Sequence, residues 1–368
     1  MKKSLTKNLE WSVLICTILL TVIGLFAIYS ATLSSELEEF KKQLMWIAIS
    51  IPVMIVVVLI DYDILAKISP VLYGLIIIAL GGVLFTTPIY GATSWFTIGS
   101  ISIQPSEFAK IFVILFLSLI MSRMKKKGEN EISRPTRLML LVLIMIIPIA
   151  LIVKQPDYGT ATAFAFAFIA MLFMGGLDKK YIIVGIILVA IAVPLLYMYV
   201  LPEHAKSRIN VFLNPELDPR GAGYNLTQSK LAIGAGGLLG MGYLKGNQTQ
   251  LGFLYPKSTD FIFAVIGEEL GFIFSSAVII LYVVLIGKSI YVAKTAKDSL
   301  GAMIAAGIAG LFMFHMIENI GMTMGLLPIT GVPLPFVSYG GSSLLSNFIM
   351  IALLLNISGR RQKAIFLE

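Results

Sequence analysis

The sequence contains little charge and very few of the residues that bind metals through sulfur or nitrogen. Only 13% of its 368 residues are charged, whereas 58% are hydrophobic, which is more apolar surface than a soluble domain needs. The single cysteine, Cys16, excludes an intramolecular disulfide framework and a cysteine-ligated metal site. The two histidines, His204 and His315, are too few and too far apart in the sequence to predict a zinc site. This composition is typical of an integral membrane protein.

Apolar runs long enough to cross a bilayer recur along the whole chain, so we predict an all-α polytopic membrane protein with about ten transmembrane helices. We expect residues 1–368 to form a single integral membrane domain. The predicted spans are 11–31, 44–60, 70–87, 107–122, 137–153, 160–176, 181–199, 260–287, 299–322 and 341–357.

Lysine and arginine are distributed unevenly between the loops that join these spans. They are concentrated on the side of the N-terminus, for example in the run 123–127, and are sparse in the short loops of the other side, which hold Lys41, Lys42 and Lys154. The positive-inside rule therefore predicts that both termini are cytoplasmic. This bias accounts for the net charge of +8, so we expect no nucleic-acid partner. We expect the basic run 123–127 to contact membrane lipids.

One loop is much longer than a connection between two helices requires. Residues 200–259 form a long, polar extracellular loop between the seventh and eighth spans, and loops of this length are usually functional. The stretch Leu226 to Ile233 predicts a short amphipathic helix. The glycines that follow allow the backbone to bend tightly or to approach a ligand closely. A flexible connector is the alternative interpretation.

Asp260 stands where this loop ends and an apolar run begins. With Ser258 and Thr259 in front of it, Asp260 suits a helix cap that accepts hydrogen bonds from the N–H groups of a first turn. The same position suits a catalytic base held at the membrane surface. Composition alone favours the cap.

Polar residues also precede the fourth span, in the sequence QPSEFAK. Pro105 suits the first turn of a helix, and we expect Gln104 or Ser106 to help cap it. Glu107 and Lys110 are three residues apart, close enough to pair on one helix face. They form either a local ion pair at the interface or part of a site.

Two further extracellular segments carry candidate site residues. Asp157 lies in the turn before the sixth span, where a cap or turn residue is the simpler interpretation. The segment 325–343 is too rich in proline and glycine for a continuous helix, so we expect it to be re-entrant or to line a groove. Its Ser338 and Tyr339 offer hydroxyl groups to a polar ligand.

Three acids lie well inside predicted spans, beyond the first residue, where ionisable groups usually face the protein interior or a cavity. Helical rise places Glu268 about 12 Å deeper than Asp260. We interpret Glu268 and Glu269 as structural and leave the role of Glu318 open.

These motifs together resemble the SEDS family (shape, elongation, division and sporulation), and in particular its RodA branch. The resemblance covers nearly the whole chain, and the stretch GNQTQLGFL favours RodA over the division relative FtsW. It rests on QPSEFAK at 104–110, KQPDYGTA at 154–161, NPELDPRGAGYN at 214–225, QSKLAIGAGGLLG at 228–240, GNQTQLGFL at 246–254, TDFIFAVIGEELG at 259–271 and GLLPITGVPLPFVSYGGSS at 325–343.

The resemblance implies a peptidoglycan glycosyltransferase that polymerises lipid II at the outer face of the bacterial cytoplasmic membrane. It also implies a class B penicillin-binding protein as partner and a divalent cation, magnesium or manganese, as cofactor. The family's essential acid maps onto Asp260, which favours the base over the cap. Asp157 and Asp260 are the candidate metal ligands.

Other positions also match the family's motifs. Glu107 and Lys110 match the QPSEFAK pair, and Trp95 matches the tryptophan after the GA dipeptide. Positive charge must offset a phosphate leaving group, and Lys110, Lys154 and Arg208 are the candidates.

The chain also departs from the family. Thr93 and Ser94 stand where a basic residue often precedes the tryptophan, and Lys257 lies close to Asp260 in sequence, where we expect it to lower the pKa of that carboxyl. A transporter that flips lipid-linked cell-wall precursors is an alternative function, and it requires an essential role for Glu268, Glu269 or Glu318. A non-catalytic scaffold for a penicillin-binding protein is the other alternative.

Overall fold

The computed structural model describes residues 8–88, 92–99, 101–125, 131–199 and 202–361. Nine helices of this described part are long and apolar enough to cross a membrane, and an additional helix covers the predicted span 181–199. The predicted fold class is confirmed. The helices are α1 (Trp11–Thr32), α2 (Glu38–Leu59), α3 (Tyr62–Gly82), α4 (Pro105–Met124), α5 (Pro135–Lys154), α6 (Tyr158–Gly175), α7 (Lys179–Tyr199), α8 (Glu203–Leu213), α9 (Ala222–Gly236), α10 (Asn247–Gln250), α11 (Ile262–Thr295), α12 (Ser299–Thr323) and α13 (Gly341–Gly359).

Helices α12 and α13 form the centre of the bundle. In each of them 78% of the membrane-spanning stretch is buried, against 11% in α2, which is peripheral. Small residues let α12 approach its neighbours closely, as they do in many membrane bundles. A Cβ atom at Gly310, for example, would lie 2.8 Å from Cβ of Ala170 in α6. The central position of α12 brings its polar residues next to several other helices.

Two helices begin earlier than their apolar runs predict. Helix α2 begins at Glu38, and α3 begins at Tyr62, where Asp61 caps the helix by accepting a hydrogen bond from the N–H of Asp63. Six cations used for the orientation lie outside the described residues, so the sidedness of the termini stays a prediction. They are Lys2, Lys3, Lys7, Lys126, Lys127 and Lys363.

The loop 200–259 is built largely of helices. Helices α8, α9 and α10 lie within it, and α9 contains the predicted helix 226–233. Because α9 packs against α11, the flexible-connector alternative is wrong. The sequence did not lead us to expect the small hairpin before α4, in which β1 (Phe96–Ile98) pairs antiparallel with β2 (Ile101–Ile103).

Helix α11 is broken at Gly271, which has a φ of 74° and a ψ of −170°. The glycine-rich end of α9 fills the break. The N–H of Phe272 donates to the carbonyl oxygen of Gly237 at 2.9 Å, and the N–H of Met241 donates to the carbonyl oxygen of Glu268 at 2.9 Å. The break therefore keeps its backbone hydrogen bonds, as a membrane environment requires.

The first part of α11 crosses the end of the bundle instead of descending through it. Glu269 accepts a 2.6 Å hydrogen bond from Ser30, in the last turn of α1, and the far part of α11 pairs Lys288 with Glu10 beside the start of α1 at 3.1 Å. Asp260 is bound near the end of α12. Glu268 therefore lies at the same end of the bundle as Asp260, and the expected extra depth of about 12 Å is wrong.

The break in α11 requires glycine at position 271. A Cβ there would lie 2.6 Å from the carbonyl carbon of Leu239, on a backbone that other residues rarely adopt. We expect Gly271→Ala to lower the free energy of unfolding by about 1–3 kcal/mol, the usual cost of overpacking, measured by thermal unfolding in detergent. Gly287→Ala is the matched control in the same helix, since no heavy atom lies within 4 Å of its added methyl group. Equal stability of the two variants would contradict this account.

Candidate active site

The predicted groove-lining segment is joined to the turn that carries Asp260. The hydroxyl of Ser338 donates to the carbonyl oxygen of Thr259 at 2.7 Å and accepts from the N–H of Leu334 at 2.9 Å. The N–H of Tyr339 donates to the carbonyl oxygen of Ser258 at 2.9 Å. Ser338 and Tyr339 thus position the backbone around Asp260, Ser338 through its side chain and Tyr339 through its main chain.

Asn319 of α12 also links the turn that carries Asp260 to the segment 325–343. Its side-chain amide donates to the carbonyl oxygens of Asp260 at 3.0 Å and Val332 at 2.8 Å, and the residue is completely buried. Asn319 was not among the residues predicted from the sequence. The available indication was an amide beside Glu318 within a long apolar helix, where a buried polar group needs a partner.

Asp260 does not cap α11. The helix begins at Ile262, its cap residue is Phe261, and no side chain accepts a capping hydrogen bond there. The carboxylate instead faces Gly331, where an added Cβ would lie 3.5 Å from Oδ2 of Asp260. Burial raises the pKa of Asp260 to about 6, and the Thr259 hydrogen bond and the charge of Arg208 offset part of that increase. The cap interpretation is therefore wrong, and the pKa of this carboxyl lies well above the usual range of an aspartate.

The cation that acts on Asp260 is Arg208, not Lys257. Arg208 lies on α8, and its Nη1 donates to the carbonyl oxygen of Thr330 at 3.4 Å. Lys257 donates to the carbonyl oxygen of Thr249 at 2.8 Å, and its charge is not among the influences on the pKa of Asp260. The expectation that Lys257 lowers this pKa is wrong because its side chain extends toward the α10 segment.

Glu318 also belongs to this region. Its Oε1 accepts a 2.7 Å hydrogen bond from the hydroxyl of Thr330, the residue whose carbonyl binds Arg208. This contact gives Glu318 a local partner in the segment that faces Asp260.

Glu107 and Lys110 form the predicted ion pair, with 2.8 Å between Oε1 and Nζ and almost no solvent exposure. Nζ of Lys110 also lies 3.3 Å from Nε2 of His315, and Ser346 donates to Glu107 at 2.9 Å. Because the Lys110 ammonium can only donate, Nε2 of His315 accepts, and its Nδ1–H donates to the carbonyl oxygen of Pro333 at 3.0 Å. His315 therefore connects the ion pair to the segment opposite Asp260.

Asp157 caps α6, as its simpler interpretation predicted. Oδ1 accepts a hydrogen bond from the N–H of Thr160 at 3.0 Å, and Oδ2 accepts one from the side-chain amide of Gln104 at 3.1 Å. Burial raises the pKa of Asp157. Gln104 occupies the N-cap position of α4, but its side chain binds Asp157 and makes no capping hydrogen bond. The buried hydroxyl of Ser106 has no partner within the described residues, so the expected side-chain cap is wrong, although Pro105 does occupy the first turn.

Two predicted residues lie away from these clusters. Lys154 is exposed at the last residue of α5. Trp95 is half-buried just before β1. Next to it, buried Ser94 donates to the carbonyl oxygen of Gln155 at 3.3 Å, which attaches the hairpin to the turn before Asp157.

The predicted metal ligands do not form a site of their own. Within the described ranges, no group of three or more His, Cys, Asp and Glu residues could hold a metal ion. Both carboxylate oxygens of Asp157 accept hydrogen bonds from the protein. These residues do not fit a cation held by protein ligands alone, and the divalent cation stays a prediction.

Glu268 and Glu269 have the structural role that we expected. Glu268 accepts hydrogen bonds from the N–H groups of Gln248 and Thr249 at 2.6 and 3.0 Å, at the start of α10. Glu269 accepts from the side-chain amide of Gln250 at 3.0 Å. The two acids hold α10 against the broken helix.

Comparisons with known proteins agree with this arrangement of segments. Residues 10–363 match the family model for FtsW, RodA and SpoVE, described as cell cycle proteins. The chain belongs to this family.

Curated relatives share nearly its whole length. The peptidoglycan glycosyltransferase MrdB of Escherichia coli strain K12 is 34% identical over 96% of this chain and 95% of its own. The peptidoglycan glycosyltransferase RodA of Treponema pallidum is 31% identical over 96% and 98%. A solved chain from work on the structural coordination of polymerization and crosslinking by a peptidoglycan synthase complex superposes with a TM-score of 0.83 at 25% identity, covering 95% of this chain and 97% of that one.

The protein is therefore a SEDS peptidoglycan glycosyltransferase of the RodA/MrdB type and a multi-pass membrane protein. The family predicted from the ordered motifs is confirmed. In the structure, the cluster around Asp260 and the cluster around Glu107 and Lys110 both contact the segment 331–334.

Removing one partner of the buried ion pair should destabilise the protein strongly. Lys110→Met leaves the Glu107 carboxylate without its ammonium, and we expect a loss of about 3–5 kcal/mol in the free energy of unfolding. Lys42→Met is the matched control, because Lys42 pairs with Glu38 at 3.5 Å on the surface, where such pairs contribute below about 1 kcal/mol. Thermal unfolding of both variants in the same detergent provides the comparison. A similar loss in both would show that the burial of the pair has no energetic consequence.

Proposed function

We propose that this protein polymerises lipid II into glycan strands at the outer face of the cytoplasmic membrane, for cell elongation and shape, with Asp260 as general base. The observation that carries the proposal is the carboxylate of Asp260, which lies in a largely buried site at one end of the bundle, with a pKa of about 6. A general base is most effective when its pKa lies near the working pH.

The proposed reaction is one inverting displacement. Asp260 accepts the proton of the acceptor sugar hydroxyl as that oxygen attacks the anomeric carbon of the donor. The bond from that carbon to the pyrophosphate oxygen breaks, and the lipid pyrophosphate leaves with the bonding electrons. Inversion converts the α-linked donor into a β-linked polymer.

Arg208 is the cation best placed to help the leaving group. It is exposed on α8, and its charge already acts on Asp260. A guanidinium can bind two phosphate oxygens at once. Lys110 is unsuited to this role because it is buried and paired with Glu107, and Lys154 is exposed without a described link to Asp260.

The partner that we propose is a class B penicillin-binding protein, which would crosslink the strands. The support is the similarity to a chain from a peptidoglycan synthase complex, whose work concerns polymerization together with crosslinking. The transporter alternative requires an essential role for Glu268, Glu269 or Glu318. Glu268 and Glu269 instead bind α10, and Glu318 binds the hydroxyl of Thr330.

Replacing the proposed base should abolish polymer synthesis without unfolding the protein. Asp260→Asn keeps the shape of the side chain but cannot accept the proton, so we expect activity to fall by at least about 100-fold. Glu216→Gln, an exposed change in the same loop region, is the matched control and should retain full activity. The measurement is glycan polymer formed from purified lipid II, with and without the purified partner. Full activity of Asp260→Asn would remove Asp260 from the mechanism.

The pH dependence of polymerisation should depend on Arg208. Asp260 must be deprotonated to act, so activity should rise with pH through about 6. Arg208 favours the charged carboxylate, so Arg208→Gln should raise the pKa of Asp260 and move this rise to higher pH. Arg220→Gln, an exposed change beyond α8, should leave the profile in place. Identical profiles for wild type and Arg208→Gln would contradict the electrostatic link.

A further inference from the structure

A cavity with a volume of about 490 Å³ opens between α4 and α5, at the end of the bundle opposite Asp260. Arg123 lies in the last turn of α4 and Arg137 in the first turn of α5. The other end of α4 carries Gln104, which binds Asp157. The cavity is therefore separate from the candidate active site, and its volume is typical of sites for small ligands.

The lining of the cavity has an apolar part and a charged part. The part along the helices is apolar, with Phe116 and Ile120 from α4 and Leu140 and Ile144 from α5. The charged residues of the lining are Arg123, Arg137 and Glu131. An amphiphile with an apolar chain and an anionic head would match both parts.

The described residues at the mouth of the cavity carry net positive charge. Glu131 accepts ion pairs from Arg134 at 3.0 Å and from Arg137 at 3.5 Å, so it partly neutralises both. Arg123 is exposed, and no carboxylate of the described ranges lies within ion-pair distance of it. Among the described residues, the single carboxylate of the lining thus faces its two guanidinium groups and also pairs with Arg134 beside them. Guanidinium groups bind phosphate with paired, charge-assisted hydrogen bonds.

We propose that this cavity binds an anionic glycerophospholipid, with its phosphate between Arg123 and Arg137 and an acyl chain against the apolar wall. Basic pockets between membrane helices commonly take anionic headgroups in this way. The bound lipid would join the ends of α4 and α5. The proposal does not depend on the reaction at Asp260.

The test titrates the full-length, delipidated protein in detergent with phosphatidylglycerol and measures the bound lipid by native mass spectrometry. Each arginine near the surface contributes about 1 kcal/mol, so R123Q/R137Q should bind about 30-fold more weakly. Lys67 and Lys179 are exposed at the same end of the bundle and lie outside the cavity. The control K67Q/K179Q removes equal charge there and should change the affinity by less than about twofold.

A second variant tests the apolar wall without changing any charge. Leu140 is 40% exposed, so L140W should fold, and its indole should fill the cavity and weaken phosphatidylglycerol binding. Unchanged affinity in both R123Q/R137Q and L140W would overturn the proposal, as would an equal loss in the control pair.

Competition identifies the source of the phosphate. Phosphatidylcholine with the same chains and glycerol phosphate without chains should both fail to displace phosphatidylglycerol at equal concentration. Displacement by glycerol phosphate alone would indicate a site for soluble phosphate and would contradict a lipid site. Phosphatidylglycerol should also raise the thermal unfolding midpoint of the wild type, but not that of R123Q/R137Q.

Discussion

Backbone groups in the irregular segments of this bundle need hydrogen-bond partners where water is scarce, and the position of Asp260 depends on how that need is met. Asn319 binds the carbonyl oxygens of Asp260 and Val332 together. Ser338 adds a second connection between the same segments. Groups from two distant parts of the chain thereby hold the short turn that carries Asp260, and this limits the movement of its carboxylate. Binding of a ligand beside Asp260 would then need little reorganisation of this carboxylate, as in preorganised sites.

The charges of the site are separated into two groups by the segment 331–334. On one side, Lys110 is neutralised by Glu107 and shared with His315. On the other side, the exposed guanidinium of Arg208 is left to act on Asp260. Burial raises the pKa of Asp260, and the charge of Arg208 on α8 offsets part of that increase.

The fold class and most helices could be predicted from the sequence because runs of apolar residues depend only on the thickness of the membrane. The motifs also gave the family, and the Glu107 and Lys110 pair followed from helical spacing. The break at Gly271 could not be predicted, since glycine is common within membrane helices and the break depends on contacts with the end of α9.

The structure brings together several residues that the sequence singled out, but the contacts between them could not be predicted. Asp260 and Asp157 occupy equivalent places at the starts of apolar runs, yet only Asp157 caps its helix. The difference comes from tertiary contacts, since Asn319 and the segment around Gly331 hold the Asp260 turn outside α11. Local capping preference cannot distinguish two such acids. Likewise, Lys257 is near Asp260 in sequence, whereas the cation that acts on it comes from about 50 residues away in the chain, on α8.

Helix α1 is attached to α11 at both of its ends, by Glu10 to Lys288 and by Ser30 to Glu269. These two attachments fix the length and the rotation of α1 at the same time. Inserting one residue between them would turn the remainder of α1 by about 100° and advance it by about 1.5 Å, so one attachment would have to break. The two attachments therefore fix the length of the first span. The hydrophobic thickness of this protein cannot change there by insertion or deletion of a single residue.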